Sequence, residues 1–331
     1  MSSSPLVAVT GADGFIGSHL VELLASTGHR VRAMVQYNSR DSWGWLDEVG
    51  ADTRARTEVL AGDVRDPASV AALVEDAEVV YHLAALIAIP YSYHAPRSYV
   101  DTNVVGTLNV LEAVRAAGTP RLVHTSTSET YGTARTVPIT EDHPAHGQSP
   151  YAASKVAADA LVCSYHLSFG VPAVTLRPFN TFGPRQSARA VIPTVISQLA
   201  AGARTVSLGA TDPTRDFLYV GDTAAAFLAA GSTPGLAGQV FNAGTGYEIS
   251  IGDLARRIAK VMDTDAEFGS DTDRYRPANS EVMRLVCDSG RLRAATGWAP
   301  LTSLEEGLAA TVRWFHDRTD LAAYRPGRYT I

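Results

Sequence analysis

The stretch TGADGFIG, residues 10–17, restricts the folds open to this chain more than any other. It follows LVAV, a continuous apolar run suited to a strand buried on both faces of a parallel sheet. It leads into GSHLVELLASTG, whose apolar spacing is helical and whose last residue, Gly28, is a helix stop. Gly11, Gly14 and Gly17 at a strand-to-helix junction allow a tight turn, close approach of backbone to a pyrophosphate, and close packing of helix on strand. The helix N-terminus at Phe15 and Ile16 then supplies N–H donors for the anion. A lone glycine triplet is weak. After the first strand of a βαβ unit it points to a dinucleotide-binding sheet.

The segments that follow keep the rhythm. VRAMV, TEVLAGD, EVVYHLAA, RLVHTST and VPAVTLRP read as strands. PASVAALVED, SYVDTNVVGTLNVLEAVRAAG and SPYAASKVAADALVCSYHLSFG read as helices between them. This alternation predicts an α/β fold, a Rossmann-type doubly wound parallel sheet with helices on both faces. Residues 1–178 form the expected cofactor domain. Beyond Pro178 the rhythm weakens, and 179–331 reads mainly as a smaller substrate-binding lobe, with 215–245 returning to the main sheet through VFNAG.

Composition removes several function classes. Apolar content of 46 % and charged content of 19 % describe an ordinary globular chain. The net charge of −6, without a dense Lys/Arg run, argues against nucleic acid and anionic membrane as partners. No apolar run reaches the ~18 residues of a membrane span, and MSSSPLVAVTG lacks the regions of a signal peptide. Cys163 and Cys287 lie far apart with no metal-ligand spacing, so two buried thiols in a reducing cytoplasm are expected. His143 and His146 form an HPAH pair without a third ligand near in sequence, so no metal is expected.

The second strand, VRAMV, should end near an acid for the adenosine ribose of NAD, yet Val35 is followed by QYNSR. Asn38 and Arg40 stand there instead, and Arg40 suits a 2′-phosphate, so NAD and NADP both stay open. Asp63, with Val64 beside it in AGDVRD, is a candidate for the adenine amino group.

The candidate chemistry lies in SPYAASK and TSTSETYG. Tyr151 and Lys155, four apart, share one helical face. An ammonium beside a phenol is expected to lower the phenol's pKa, so that the phenolate accepts a hydroxyl proton near neutral pH. Of the 28 Lys and Arg together, only Lys155 and Lys260 are lysines, so chance is a poor account of the spacing. In TSTSETYG, Glu129 stands at the end of what reads as a buried strand, where a charge is costly unless something uses or pairs it.

TGADGFIG, GDVRD, HLAA, TNVVGTLNVLEA, TSTSETYG, YAASK, RPFNTFGPRQ and TRDFLYVGD occur in the order found in extended short-chain dehydrogenases/reductases acting on sugar nucleotides, and the chain resembles that family over essentially its whole length. YNSRDSWGWLD, PYSYHAP, GPRQSARAVIPT and RPANSEV look most like the nucleotide-sugar 4,6-dehydratases of the legionaminic-acid type, whose substrate is a nucleotide-linked N-acetylglucosamine. The resemblance implies a tightly bound NAD, with NADP open, and cofactor contacts that include Leu83, Ala84 and Ala85. Thr127 would hold the sugar 4-hydroxyl with Tyr151, Lys155 would bind the nicotinamide ribose, and Asn103 would steady the active-site backbone. Asn180, Arg189, Arg215, Arg276 and Ser92 become candidate substrate contacts, the arginines because planar cationic forks suit diphosphate oxygens. The 99–117 and 150–169 helices would form a four-helix homodimer core.

Glu129 then has a use. Oxidation at C4 makes the C5 hydrogen acidic; a base removes it, the C6 hydroxyl leaves as water, and the hydride returns to C6. Glu129 matches that base, with Ser128 where many dehydratases carry Asp. The same Thr-Ser-Glu triplet resembles that of nucleotide-glucuronate decarboxylases, which would need an arginine near C6, with Arg185 and Arg189 as candidates. The motifs also leave room for a 4-epimerase and for a cofactor-binding regulatory protein; the intact Thr127, Tyr151 and Lys155 set speaks against the latter.

Overall fold

A strand buried on both faces needs helices above and below, and the chain supplies them in alternation. The computed structural model describes residues 4–318 and 324. Its strands are β1 (Leu6–Thr10), β2 (Arg30–Gln36), β3 (Thr57–Gly62), β4 (Val79–His82), β5 (Leu122–Thr125), β6 (Ala173–Pro178), β7 (Asn180–Phe182), β8 (Thr205–Leu208), β9 (Thr214–Tyr219), β10 (Val240–Ala243), β11 (Glu248–Ser250) and β12 (Glu267–Ser270). Its first helices are α1 (Phe15–Ser26), α2 (Ala51–Ala55), α3 (Pro67–Val74), α4 (Ile89–His94), α5 (Pro96–Tyr99), α6 (Gly106–Ala117) and α7 (Pro150–Phe169). α8 (Val191–Ala200), α9 (Val220–Ser232), α10 (Ile251–Val261), α11 (Gly290–Thr296) and α12 (Leu304–His316) follow.

Seven parallel strands make the main sheet in the order β10-β6-β5-β4-β1-β2-β3. Side chains alternate across it. Val7 and Val9 join the core under α1 and α9, while Ala8 joins the opposite core under α3, α6 and α7. The register sets Thr10 beside His82, and Thr125 beside Leu176, so the strand ends line one edge of the sheet. The site gathers at that edge, as expected of a doubly wound sheet. β10 pairs with β6, whereas β9 lies outside the main sheet, flanked by β7 and antiparallel β11. The smaller lobe has its own core of Ile192, Ile196, Phe217, Leu254, Leu308 and Phe315. Trp45 packs on Trp314, and Arg318 stacks on both while pairing with Glu48, which ties that lobe to the cofactor domain.

Three local expectations change. The helix expected over 98–118 is continuous in right-handed helical backbone through Tyr99, Val100, Val105 and Gly106, but it widens into a π turn over Val100–Val105 between α5 and α6. The strand RLVHTST ends at Thr125, because Thr127 caps a 3-10 turn over Ser128–Tyr131. Cys163 is exposed and only Cys287 is buried, since α7 turns Val162 and Tyr165 inward and residue 163 outward.

Candidate active site

Cofactor geometry begins with a clamp. Thr10 Oγ1 accepts the N–H groups of Leu83 and Ala84, each at 3.0 Å, which pins the Leu83–Ala85 turn to the glycine turn. Gly11 has φ +66°, and a Cβ there would lie 2.8 Å from Ala84 N. A Cβ on Gly17 would lie 2.0 Å from the Gly11 carbonyl oxygen. Neither position accepts a side chain, so bare backbone meets the edge where α1 starts, after Gly14, with Phe15, Ile16 and Gly17 in its first turn. That donor chemistry fits a dinucleotide pyrophosphate. Val64 is buried behind it, its carbonyl accepting Asn109 Nδ2 at 2.9 Å.

At the adenosine end, Arg65 grips Asp63 through Nε and Nη2 and holds its carboxyl below the ordinary range. Asn38 is used within its own turn: Nδ2 donates to the Gln36 and Ser42 carbonyls, and Oδ1 accepts from Arg40 N. Arg40 is exposed. A carboxylate does reach the end of β2, but it comes from the glycine turn. Asp13 Oδ2 accepts the Gln36 N–H at 3.2 Å, and burial pushes its pKa up.

The candidate reacting groups lie farther along the same edge. Thr127 Oγ1 accepts the Glu129 N–H at 3.2 Å, and the same side chain hydrogen-bonds Tyr151. Ser128 is buried within the turn. Tyr151 stands in the first turn of α7, started by the Ser149 cap and Pro150, and packs edge-on against Tyr99 with ring centroids 6.3 Å apart. Lys155 Nζ donates to the Thr125 carbonyl at 2.6 Å. Burial drives the Lys155 ammonium down to about 8. It also pushes the Tyr151 phenol up; Glu129 adds to that rise and the Thr127 hydrogen bond opposes it. The expected lowering of the phenol is therefore corrected, because the lysine faces the β5 carbonyl and burial dominates. In the π turn, Asn103 Oδ1 accepts Leu86 N while Nδ2 donates to Leu86 O and Ser154 Oγ, all at 2.9 Å.

Opposite Tyr151 lies a cluster of alternating charge. Arg276 Nη1 is 3.7 Å from Glu129 Oε1 and 3.7 Å from Glu281 Oε1, beyond hydrogen-bond distance of either. Arg215 Nη2 donates to Glu281 Oε1 at 3.1 Å. Asn180 Nδ2 donates to the Asp216 carbonyl at 3.3 Å on the neighbouring strand. Arg189 is exposed and acts electrostatically on Tyr99, the ring that backs Tyr151. Arg185 is committed elsewhere: its two terminal nitrogens lie 2.7 and 3.0 Å from the Glu22 oxygens on α1. Ser92 is fully buried and donates to the Ile89 carbonyl at 2.7 Å, so it packs α4 instead of facing a sugar.

Sequence reading missed Asp13, Tyr99, Asp159 and Glu281. Asp159 had a usable signal, the four-residue spacing that joins Tyr151 to Lys155. Glu281 had none, since only folding brings it to Arg215. Among the described residues no group of three His, Cys, Asp or Glu is arranged to hold a metal, and no helix is long and apolar enough to cross a membrane.

The sheet, its glycine turn, and a Tyr–Lys pair one helical turn apart define an extended short-chain dehydrogenase/reductase. The chain belongs to the GDP-mannose 4,6-dehydratase family, whose model matches residues 8–311. It is similar to a UDP-glucose 4-epimerase of Mycolicibacterium smegmatis, with 36 % identity over 94 % of this chain and 98 % of the relative. It is similar also to a dTDP-glucose 4,6-dehydratase of Streptomyces griseus, at 34 % identity over 93 % of each. A solved dTDP-glucose 4,6-dehydratase from Streptomyces venezuelae, with NAD bound, superposes with a TM-score of 0.85 at 29 % identity, covering 97 % of this chain and 99 % of that one. The chain is thus a member of the nucleotide-sugar dehydratases and epimerases.

Proposed function

We propose that this chain is a redox-neutral nucleotide-sugar 4,6-dehydratase acting on an NDP-N-acetylglucosamine or a related NDP-hexose, with NAD tightly bound. The observation that carries this reading is Glu129: a carboxylate in the turn capped by Thr127, acting electrostatically on Tyr151 and 3.7 Å from Arg276. Moving a hydride off and onto C4 needs no such group. Removing the C5 proton does.

NAD supplies, when bound, a hydride acceptor for C4 and a donor for C6. The glycine turn, Asp63 and Lys155 would hold it, and Asp13 at the end of β2 disfavours a 2′-phosphate, which supports NAD over NADP. Tyr151, with Thr127, takes the proton of the C4 hydroxyl. Glu129 takes the C5 proton, and its carboxyl then protonates the departing C6 hydroxyl. Arg215 and Arg276 bind the diphosphate, with Asn180 and Arg189 nearer the site's rim. A homodimer goes with this reading: Val105, Leu167 and Phe169 expose apolar surface on and beside α6 and α7. A monomer by light scattering would remove that part.

A 4-epimerase is the second reading, favoured by the 36 % identical relative. For a glucuronate decarboxylase, Glu22 holds the Arg185 guanidinium, which leaves the exposed Arg189 as the candidate for the substrate carboxylate. Incubation with UDP- and GDP-N-acetylglucosamine and UDP-glucuronate, followed by mass measurement of the products, separates these. Loss of water supports the dehydratase and loss of carbon dioxide the decarboxylase. Unchanged mass with inversion at C4 means an epimerase, and no turnover a binder.

A further inference from the structure

The helix that carries Tyr151 and Lys155 carries a third ionisable group at the same spacing. Asp159 lies one turn beyond Lys155, so the three side chains share a face of α7. Its side chain is 11 % exposed, and a carboxylate so buried is costly unless paired. One oxygen is fully paired: Oδ2 accepts Arg177 Nε at 3.1 Å, Arg177 Nη2 at 2.9 Å and Ser126 Oγ at 2.8 Å. The other, Oδ1, lies 3.3 Å from His124 Nε2 without a hydrogen bond. Arg177 is itself held at Nη1 by the Tyr131 hydroxyl, which donates onward to Asn242 Oδ1. Asp159 is thus held by Arg177 on β6 and by Ser126 just after β5, one helical turn from Lys155.

We infer that Asp159 is a positioning residue for the Tyr151–Lys155 couple: its fixed carboxylate keeps the buried Lys155 side chain charged while the phenol exchanges its proton. This rests on the reading of that couple as the reacting one. Lys155 is otherwise poorly supported as a cation, for its amine donates only to a neutral carbonyl, Thr125 O. Burial works against the charge, and the Asp159 carboxylate works for it. The remaining groups facing the lysine do not replace it. His124 on β5 and His82 on β4 are held neutral by burial, and burial raises the Tyr151 phenol as well. Glu129 from the 3-10 turn lies with Arg276, Arg177 on β6 adds positive charge, and Arg189 acts on Tyr99.

The chain's two lysines make a direct test possible. Protein labelled with 13C-lysine gives two side-chain NMR signals, and Lys260→Arg identifies that of Lys155 by removing the other. The Lys155 signal of the parent is expected to titrate at about 8. In Asp159→Asn its midpoint falls by about one unit or more, and Asp159→Glu restores it. The alkaline limb of the activity profile moves to lower pH by the same amount, since the cation is needed and is lost as pH rises. An unmoved Lys155 midpoint in Asp159→Asn overturns the inference whatever the activity. A moved midpoint with an unmoved limb supports the inference and overturns the role given to Lys155 in the reaction. If Asp159→Asn does not fold, Asp159→Asn/Arg177→Gln removes both charges of the pair, and its Lys155 midpoint is read against that of Arg177→Gln alone, from which it should fall.

Discussion

The side of this site proposed for the cofactor and the side proposed for the substrate are made of different materials. The first is backbone: a glycine at φ +66°, a carbonyl where a Cβ cannot fit, and the start of α1. The second is charge: Glu129, Arg215, Arg276 and Glu281 come from the turn after β5, from β9, and from the segment after β12. A backbone cradle is specified by neighbouring residues and does not respond to pH. A cluster of charged side chains from distant segments is open to tuning, and each member's worth depends on the others.

Four experiments would break or sharpen this contrast. Tyr151→Phe should lower turnover by about 10²–10⁴-fold, measured as product formed, because in the proposed reaction Tyr151 is the acceptor of the C4 hydroxyl proton. Glu129→Gln should lower water loss by about 10²-fold while C4 oxidation persists, visible as accumulated reduced cofactor. Water loss at the parent rate would remove Glu129 from the reaction. Arg215→Ala and Gly11→Ala set the two halves against each other. The first should raise KM for the nucleotide sugar by about tenfold or more, since a charge-assisted bond is lost. The second should cost about 1–3 kcal/mol in urea unfolding, from strain at positive φ and the contact with Ala84. If Arg215→Ala instead destabilised the fold more than Gly11→Ala does, the substrate cluster would be a structural element first.

The smallest effect concerns pH. His82 and His124 are held below their ordinary 6.5 by burial, so the unfolded chain takes up protons first on acidification. Their stabilisation is complete above about 6.5 and is lost as pH falls below it, by at most about 1.4 kcal/mol per pH unit for each. Urea midpoints compared on either side of that value check it, and an unchanged midpoint would show that the two rings titrate alike in the folded and the unfolded chain.

Legibility in the sequence followed the same division. β1, the glycine turn and α1 were readable because burial on both faces leaves an unbroken apolar run and the turn excludes side chains. Tyr151 and Lys155 were readable because helical spacing is local. The π turn over Val100–Val105 was not, and the partners that Asn103 meets from it, Leu86 and Ser154, are brought near only by folding. Asp13 was missed because it reaches β2 from the preceding turn, and Glu281 because its partner Arg215 is far away in sequence. The pKa of Tyr151 was misjudged because burial cannot be read from a spacing.

The place of β10 has a consequence for synthesis. β6, with Val174 and Leu176 fully buried, is covered along one side only when Val240–Ala243 pairs with it. On the ribosome, the N-terminal part of the sheet is complete up to β6 well before β10 emerges. Throughout that interval the nascent chain presents an apolar strand edge able to pair with another copy, and the smaller lobe is being made meanwhile.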